Sequence, residues 1–296
     1  MKILLVGAGG MLSRDLWDAL NEKHEVFGSD LNKKPGHIPE TQWMPFDITD
    51  QKDTYGKVSK LNPELIINTA AYSDVDGCEK QPDMAFRINA LGTRNLCIAC
   101  QRFDTTLCHI STDYVFDGRN PPDEGYSEND KTNPINVYGK SKYWAEFYVK
   151  HLLNKFYILR VAWLFGIGRN NFVSFVIISV RENKEIKIVR DQWGSPTYTK
   201  DIAGAISLLM EKPAYGIYHM TNSGKTSREN QVEEIFKILG KPTKVSLIEP
   251  GEVYLAQRPQ KSYLKNYFWQ LEGFKPIRPW QEATKDFILS YTKAGL

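Results

Sequence analysis

Tyr138 and Lys142 have the types and spacing for handing a proton to a carbonyl, in the run Tyr138-Gly139-Lys140-Ser141-Lys142. On a helix, residues i and i+4 share a face, so a phenol and an ammonium there reach one point. A tyrosine has an ordinary pKa of about 10 and is a poor acid at neutral pH. A neighbouring ammonium, or the cation of an oxidised nicotinamide, favours its phenolate and brings it nearer the working range of a proton donor. A Tyr–Lys pair at this spacing is expected by chance in a chain with 15 tyrosines, so its position has to carry the argument. It opens a predicted helix, one strand–helix step after Ser111-Thr112, which end a predicted strand.

The second group with chemistry is Gly7-Ala8-Gly9-Gly10-Met11-Leu12-Ser13, directly after the apolar run Lys2–Val6. Glycines between a strand and a helix let the backbone turn sharply and approach a pyrophosphate, and the helix N-terminus offers free N–H groups to it. The spacing is G-x-x-G-x-x-small, with Ser13 where a third glycine is usual. Asp30 ends the next strand, about 20 residues on, where a carboxylate accepts from the adenosine ribose hydroxyls. It favours NADH over NADPH, although Lys33 and Lys34 stand close enough to meet a phosphate. Asp47 and Ile48 are placed to flank the adenine, and Ala70, Ala71 and Tyr72 to line the groove.

The elements that must position these groups alternate. Strands are predicted at Lys2–Val6, Glu25–Ser29, Leu65–Asn68, Thr106–Ser111 and Tyr157–Val161. Helices are predicted at 11–21, 52–61, 82–103 and 137–154. Such alternation implies a Rossmann-type, doubly wound parallel sheet, an α/β fold that binds ligands at the carboxyl ends of its strands. The second half reads as helix 172–180, strand Ile186–Val189, helix 200–210, strand Ile217–His219, helix Arg228–Leu239 capped by Ser227, and helix Trp280–Tyr291. This divides the chain into a dinucleotide-binding domain over 1–162, with 195–212 returning to it, and a smaller substrate-binding lobe over 163–194 and 213–296. The loop 117–134 is long and rich in turn residues, a composition expected of a functional or mobile segment.

Composition narrows the function classes. The chain has 296 residues, 25 % of them charged, with Lys and Arg exceeding Asp and Glu by only 3. That balance points to no nucleic-acid or membrane-surface partner. No targeting segment or membrane span is visible, which with reduced thiols fits a cytoplasmic protein. Cys97 and Cys100 form a C-x-x-C, but on an apolar helix and without a second pair, so core packing is the expectation rather than zinc or redox chemistry. The five histidines share no ligand spacing, and His109 reads as a satisfied core residue. Arg258 has the chemistry to pair with a diphosphate, with core packing as the alternative for the aromatic run that follows it.

The chain resembles the extended short-chain dehydrogenase/reductase superfamily and, within it, the dTDP-4-dehydrorhamnose reductase family. The motifs are Gly7–Ser13, Asn68–Tyr72, Asn89, Ser111–Gly118, Tyr138–Lys142, Arg160–Gly166, Asp191–Ala203 and Arg258–Leu264. The resemblance implies NADPH- or NADH-dependent reduction of the 4-keto group of a nucleotide-linked deoxysugar, dTDP-4-dehydro-L-rhamnose above all. It implies that Thr112 hydrogen-bonds the sugar carbonyl, Tyr138 donates the proton and Lys142 binds the nicotinamide ribose. Gly7, Gly9, Gly10, Met11, Leu12 and Asn89 fall on the cofactor side. Val75, Asp113, Tyr114, Trp163 and Asn171 fall on the substrate side, with Asn171 opening the segment that approaches the diphosphate. Some relatives bind magnesium at a dimer contact, but no matching carboxylates are identifiable here, so no metal ligand is assigned; a homodimer stays open. Thr112 is followed by Asp113-Tyr114, whereas related dehydratases carry Asp-Glu there, which argues against dehydration. Two alternatives stay open: a nucleotide-sugar 4-epimerase, and a non-catalytic subunit resembling the β subunit of methionine adenosyltransferase.

Overall fold

A computed structural model describes residues 1–249, 251 and 254–295. Its centre is a six-stranded sheet of β1 (Lys2–Val6), β2 (Glu25–Ser29), β3 (Leu65–Asn68), β4 (Thr106–Thr112), β5 (Phe156–Val161) and β6 (Gly216–His219). The spatial order is 2-1-3-4-5-6 and every pairing is parallel. β1, β3, β4 and β5 are apolar almost throughout because both faces of a parallel sheet are covered. Alternate side chains go to opposite faces. Leu5, Ile67, Cys108 and Leu159 pack under the helices Met11–Leu20 and Thr199–Leu209. Leu4, Ile66, Leu107 and Ile158 pack under Gln51–Leu61, Thr93–Phe103 and Val137–Leu152. The chain is thus an α/β, Rossmann-type fold, and its strand order reverses between β1 and β3.

The second half packs Phe172–Arg181, Arg228–Leu239 and Trp280–Lys293 around Val176, Ile177, Ile235 and Phe287. A parallel pair, Ile186–Val189 with Val245–Ile248, borders this smaller core. The Ser227 hydroxyl accepts from Asn230 N–H, the cap that the sequence implied. One boundary is corrected: Gly216–His219 pairs with β5, so residues just past 212 belong to the main sheet rather than to the lobe.

Two further expectations change. The helix over 82–103 contains a π-helical stretch, Phe86–Gly92, between Pro82–Ala85 and Thr93–Phe103. Such a bulge shifts the facing of one turn, and here it carries the buried Asn89. The loop 117–134 is tied down. The Glu128 carboxylate accepts from the N–H groups of His219 and Phe268, Tyr126 bridges to Leu264, and Asp117 accepts from the Tyr126 hydroxyl and from Asn133. Cys97 and Cys100 are buried core thiols, pushed up by desolvation and unfit as nucleophiles. No helix among the described residues is long and apolar enough to cross a membrane, and no cluster of three or more His, Cys, Asp or Glu among them is placed to hold a metal ion.

Candidate active site

A groove of about 490 Å³ runs along the carboxyl ends of β1 to β5, a volume within the usual range for ligand sites. At one end the chain turns at Gly7 with φ +83°, where a Cβ would meet Ala70 N at 2.6 Å. Only glycine allows that approach. Ser13 explains its own departure from glycine: its buried hydroxyl donates to the Gly7 carbonyl (2.8 Å) and pairs with the Thr69 hydroxyl (2.6 Å). The Met11–Leu20 helix opens at Gly10 with no side-chain cap and no acidic residue in its first turn. Its N-terminus is therefore uncompensated and suited to a phosphate. Asp30 lines the groove, held by Gly9 N–H (3.0 Å) and by both N–H donors of Asn32 (2.9 Å). Asp47, Ile48, Ala70, Ala71 and Tyr72 continue the wall. Beside the glycine loop, Gly9, Arg14, Lys33, His37 and Arg169 line a second, basic pocket.

At the other end stand Thr112, Asp113, Tyr138, Lys142 and Trp163. Tyr138 sits in the first turn of its helix, which is capped by Asn136 accepting from Gly139 N–H (2.7 Å) and by Glu79 accepting from Val137 N–H (2.8 Å). A Cβ at Gly139 would lie 2.2 Å from the Tyr114 carbonyl oxygen, so the residue after the tyrosine has no room for a side chain. Tyr114 packs edge-on against the Tyr138 ring at 5.9 Å.

Burial raises the Tyr138 phenol, with a Thr112 hydrogen bond working the other way and Asp113 adding to the rise. Lys142 is not among the groups that set this shift. Burial pushes the Lys142 ammonium down to about 7. Its Nζ donates to the Ile110 carbonyl (2.7 Å) and faces His109 Nε2 (3.1 Å). Asp113 is buried and raised to about 7, accepting from the Thr112 and Ser262 hydroxyls. Trp163 takes φ +43°, with Gly194 packed close against its ring and the Arg228 guanidinium carbon 3.4 Å from the ring centroid.

Several expected contacts lie outside the groove. Asn89 is a brace: its amide accepts from Tyr72 N–H and donates to the Tyr72 carbonyl and to Ser141. Asn171 spends its side chain capping Phe172–Arg181 and donating to the Gly166 and Arg169 carbonyls, while Arg169 lines the groove. Val75 starts the short helix Val75–Lys80 and does not line the groove. Arg258 pairs with Asp76 (3.1 Å) and lies over the Tyr254 ring, leaving one buried guanidinium nitrogen without a protein partner. Arg14, Arg169 and Arg228 carried no sequence signal beyond their charge, because their neighbours come from distant segments.

The profile of a family described as the RmlD substrate binding domain matches residues 1–293. A dTDP-4-dehydrorhamnose reductase of Streptomyces griseus is 35 % identical over 307 residues, covering 99 % of this chain and 95 % of that one. Among solved structures, a dTDP-4-dehydrorhamnose reductase of Clostridium acetobutylicum superposes with TM-score 0.90 and 36 % identity, over 99 % of this chain and 100 % of that one. Another such reductase, of Bacillus anthracis in complex with NADP, gives TM-score 0.90 and 36 % identity over 98 % and 99 %.

Proposed function

The chain belongs to the RmlD substrate binding domain family, and on that premise we propose that it reduces the 4-keto group of a nucleotide-linked deoxysugar, dTDP-4-dehydro-L-rhamnose to dTDP-L-rhamnose, with NADPH or NADH. The observation that carries the reading is one continuous groove with an uncompensated helix N-terminus at one end and a half-buried phenol beside a threonine hydroxyl at the other. The residues fit a dinucleotide: Gly7 and Gly10 leave room for a diphosphate, and Asp30 offers acceptors to a ribose. When bound, the reduced coenzyme supplies the hydride. The Thr112 and Tyr138 hydroxyls stabilise the negative charge that develops on the sugar carbonyl oxygen, and the Tyr138 phenol gives it the proton. Trp163, packed against Gly194 and Arg228, lines the groove at the same end. The free nitrogen of Arg258 is suited to the substrate diphosphate.

The basic pocket beside Gly9 supports acceptance of the extra phosphate of NADPH, against the repulsion of Asp30. A cytoplasmic setting and a homodimer belong to the same proposal, and the molecular mass in solution tests the dimer. The test of the main reading incubates the protein with dTDP-4-dehydro-L-rhamnose and NADPH. One coenzyme oxidised per sugar reduced supports the reductase. Interconversion of C4 epimers without net coenzyme consumption would make it an epimerase, and inertness with every 4-keto nucleotide sugar would leave a binding subunit.

A further inference from the structure

Behind Lys142 the hydrogen bonds admit one arrangement. Ala70 N–H can only donate, and it reaches Asn68 Oδ1 (3.1 Å). Thr93 gives its hydrogen to the Asn89 carbonyl (2.7 Å), so its oxygen accepts from Asn68 Nδ2 (3.2 Å). These contacts fix which end of the Asn68 amide faces which way. The second hydrogen of Nδ2 then goes to His109 Nδ1 (3.2 Å). A neutral imidazole that accepts at Nδ1 carries its proton on Nε2. Nε2 lies 3.1 Å from Lys142 Nζ. An ammonium would set two donors face to face, whereas an amine accepts from Nε2–H and still donates to the Ile110 carbonyl.

We propose that His109 is a positioning residue that holds Lys142 as a neutral amine in the free protein, so that dinucleotide binding takes up one proton from solvent at Lys142. The inference rests on the coenzyme reading above. A diphosphate adds negative charge to a groove that Lys142 lines, which favours the ammonium; an ammonium must then give up the Nε2–H. Burial acts in the same sense on both partners, lowering Lys142 to about 7 and His109 well below its usual range. The titratable and charged groups around Lys142 and its neighbour Tyr138 are few. Tyr138 and Glu146 lie on the same helix, His109 on β4, Asp113 on the turn after it, and Cys78 on Val75–Lys80. Arg160 on β5 is paired with Glu146.

Two measurements on the full chain test this. In ¹⁵N-histidine NMR, with the His109 signal identified by its loss in His109→Gln, the Nε2–H tautomer is expected at neutral pH. An Nδ1–H tautomer or an imidazolium overturns the proposal. NADPH affinity measured against pH is expected to fall toward tenfold per unit above about pH 7, since one proton is taken up on binding. The slope flattens in His109→Gln, whose amide can turn its oxygen to the ammonium. Tight binding with no pH dependence, or an unchanged slope in the variant, overturns the coupling alone. If NADPH binds at no pH, the coenzyme reading falls and takes the coupling with it. Should the variant not fold, the wild-type pH profile of NADPH affinity still decides.

Discussion

Burial holds the Tyr138 phenol protonated, the state a proton donor needs before it acts. Replacing Tyr138 with Phe keeps the ring and its contact with Tyr114 but removes the proton. The expected loss is about 10²–10⁴ in kcat, the usual contribution of general acid catalysis, with NADPH affinity retained. Normal turnover would remove Tyr138 as the acid. Asp113 carries a pH signature of its own. Its folded carboxyl titrates at about 7, above the ordinary 3.8. The folded state therefore binds that proton more tightly, and the stability this confers is lost as pH rises from the ordinary value through about 7. Urea melts of Asp113→Asn should gain on wild type across that window; a constant difference would show that Asp113 is not the group responsible. In the basic pocket, replacing Arg14 and Lys33 together with Ser should weaken NADPH by ~10-fold or more, because charge-assisted contacts to phosphate are lost, and NADH much less. Equal losses would detach the pocket from coenzyme choice.

Elements carry these groups by their ends. β4 delivers Thr112, and the helix Val137–Leu152 delivers Tyr138 in its first turn. The two meet because Gly139 lets the helix start against the Tyr114 backbone. Gly139→Ala should therefore cost about 1–3 kcal/mol, the usual range for overpacking, and lower kcat as well. Calorimetry and turnover on the same preparation check both, and an unaffected kcat would show that the helix start does not set the phenol. The strand and helix assignments of the first half were readable from local pattern, since apolar runs and i+4 spacing belong to the segments themselves. The π-helical stretch at Phe86–Gly92 and the pair Ile186–Val189 with Val245–Ile248 were less readable. A π-helical stretch follows from what one turn must face, and Val245–Ile248 is half exposed with no apolar run to mark it.

The whole molecule is joined beneath the active site by a buried ion pair. Arg160 on β5 binds Glu146 in two-pronged fashion (2.9 and 2.7 Å), Glu146 also accepts from Ser111, and Arg160 reaches His219 Nε2 (3.3 Å). His219 Nδ1 in turn meets the Tyr126 carbonyl, which ties the loop 117–134 to the sheet edge. Arg160→Met leaves a buried carboxylate without its cation, so a loss of about 3–5 kcal/mol is expected. Adding Glu146→Leu should recover part of it, as a double-mutant cycle in chemical denaturation reads directly. Full additivity of the two losses would mean the pair does not act as a unit.

The sequence by itself determined the parallel α/β architecture, the glycine loop, and the Tyr138–Lys142 pair opening its helix, because these depend on residues a few positions apart. It left undecided where long polar side chains end. Asn171 turned back to cap its helix, Asn89 braced Tyr72 to Ser141, Arg258 found Asp76, and Lys142 turned to His109. Apart from the partners of Asn171, which lie within five residues of it, each such partner stands far along the chain, and a buried donor or acceptor takes whichever partner the packing brings within reach. Tertiary structure alone makes that choice.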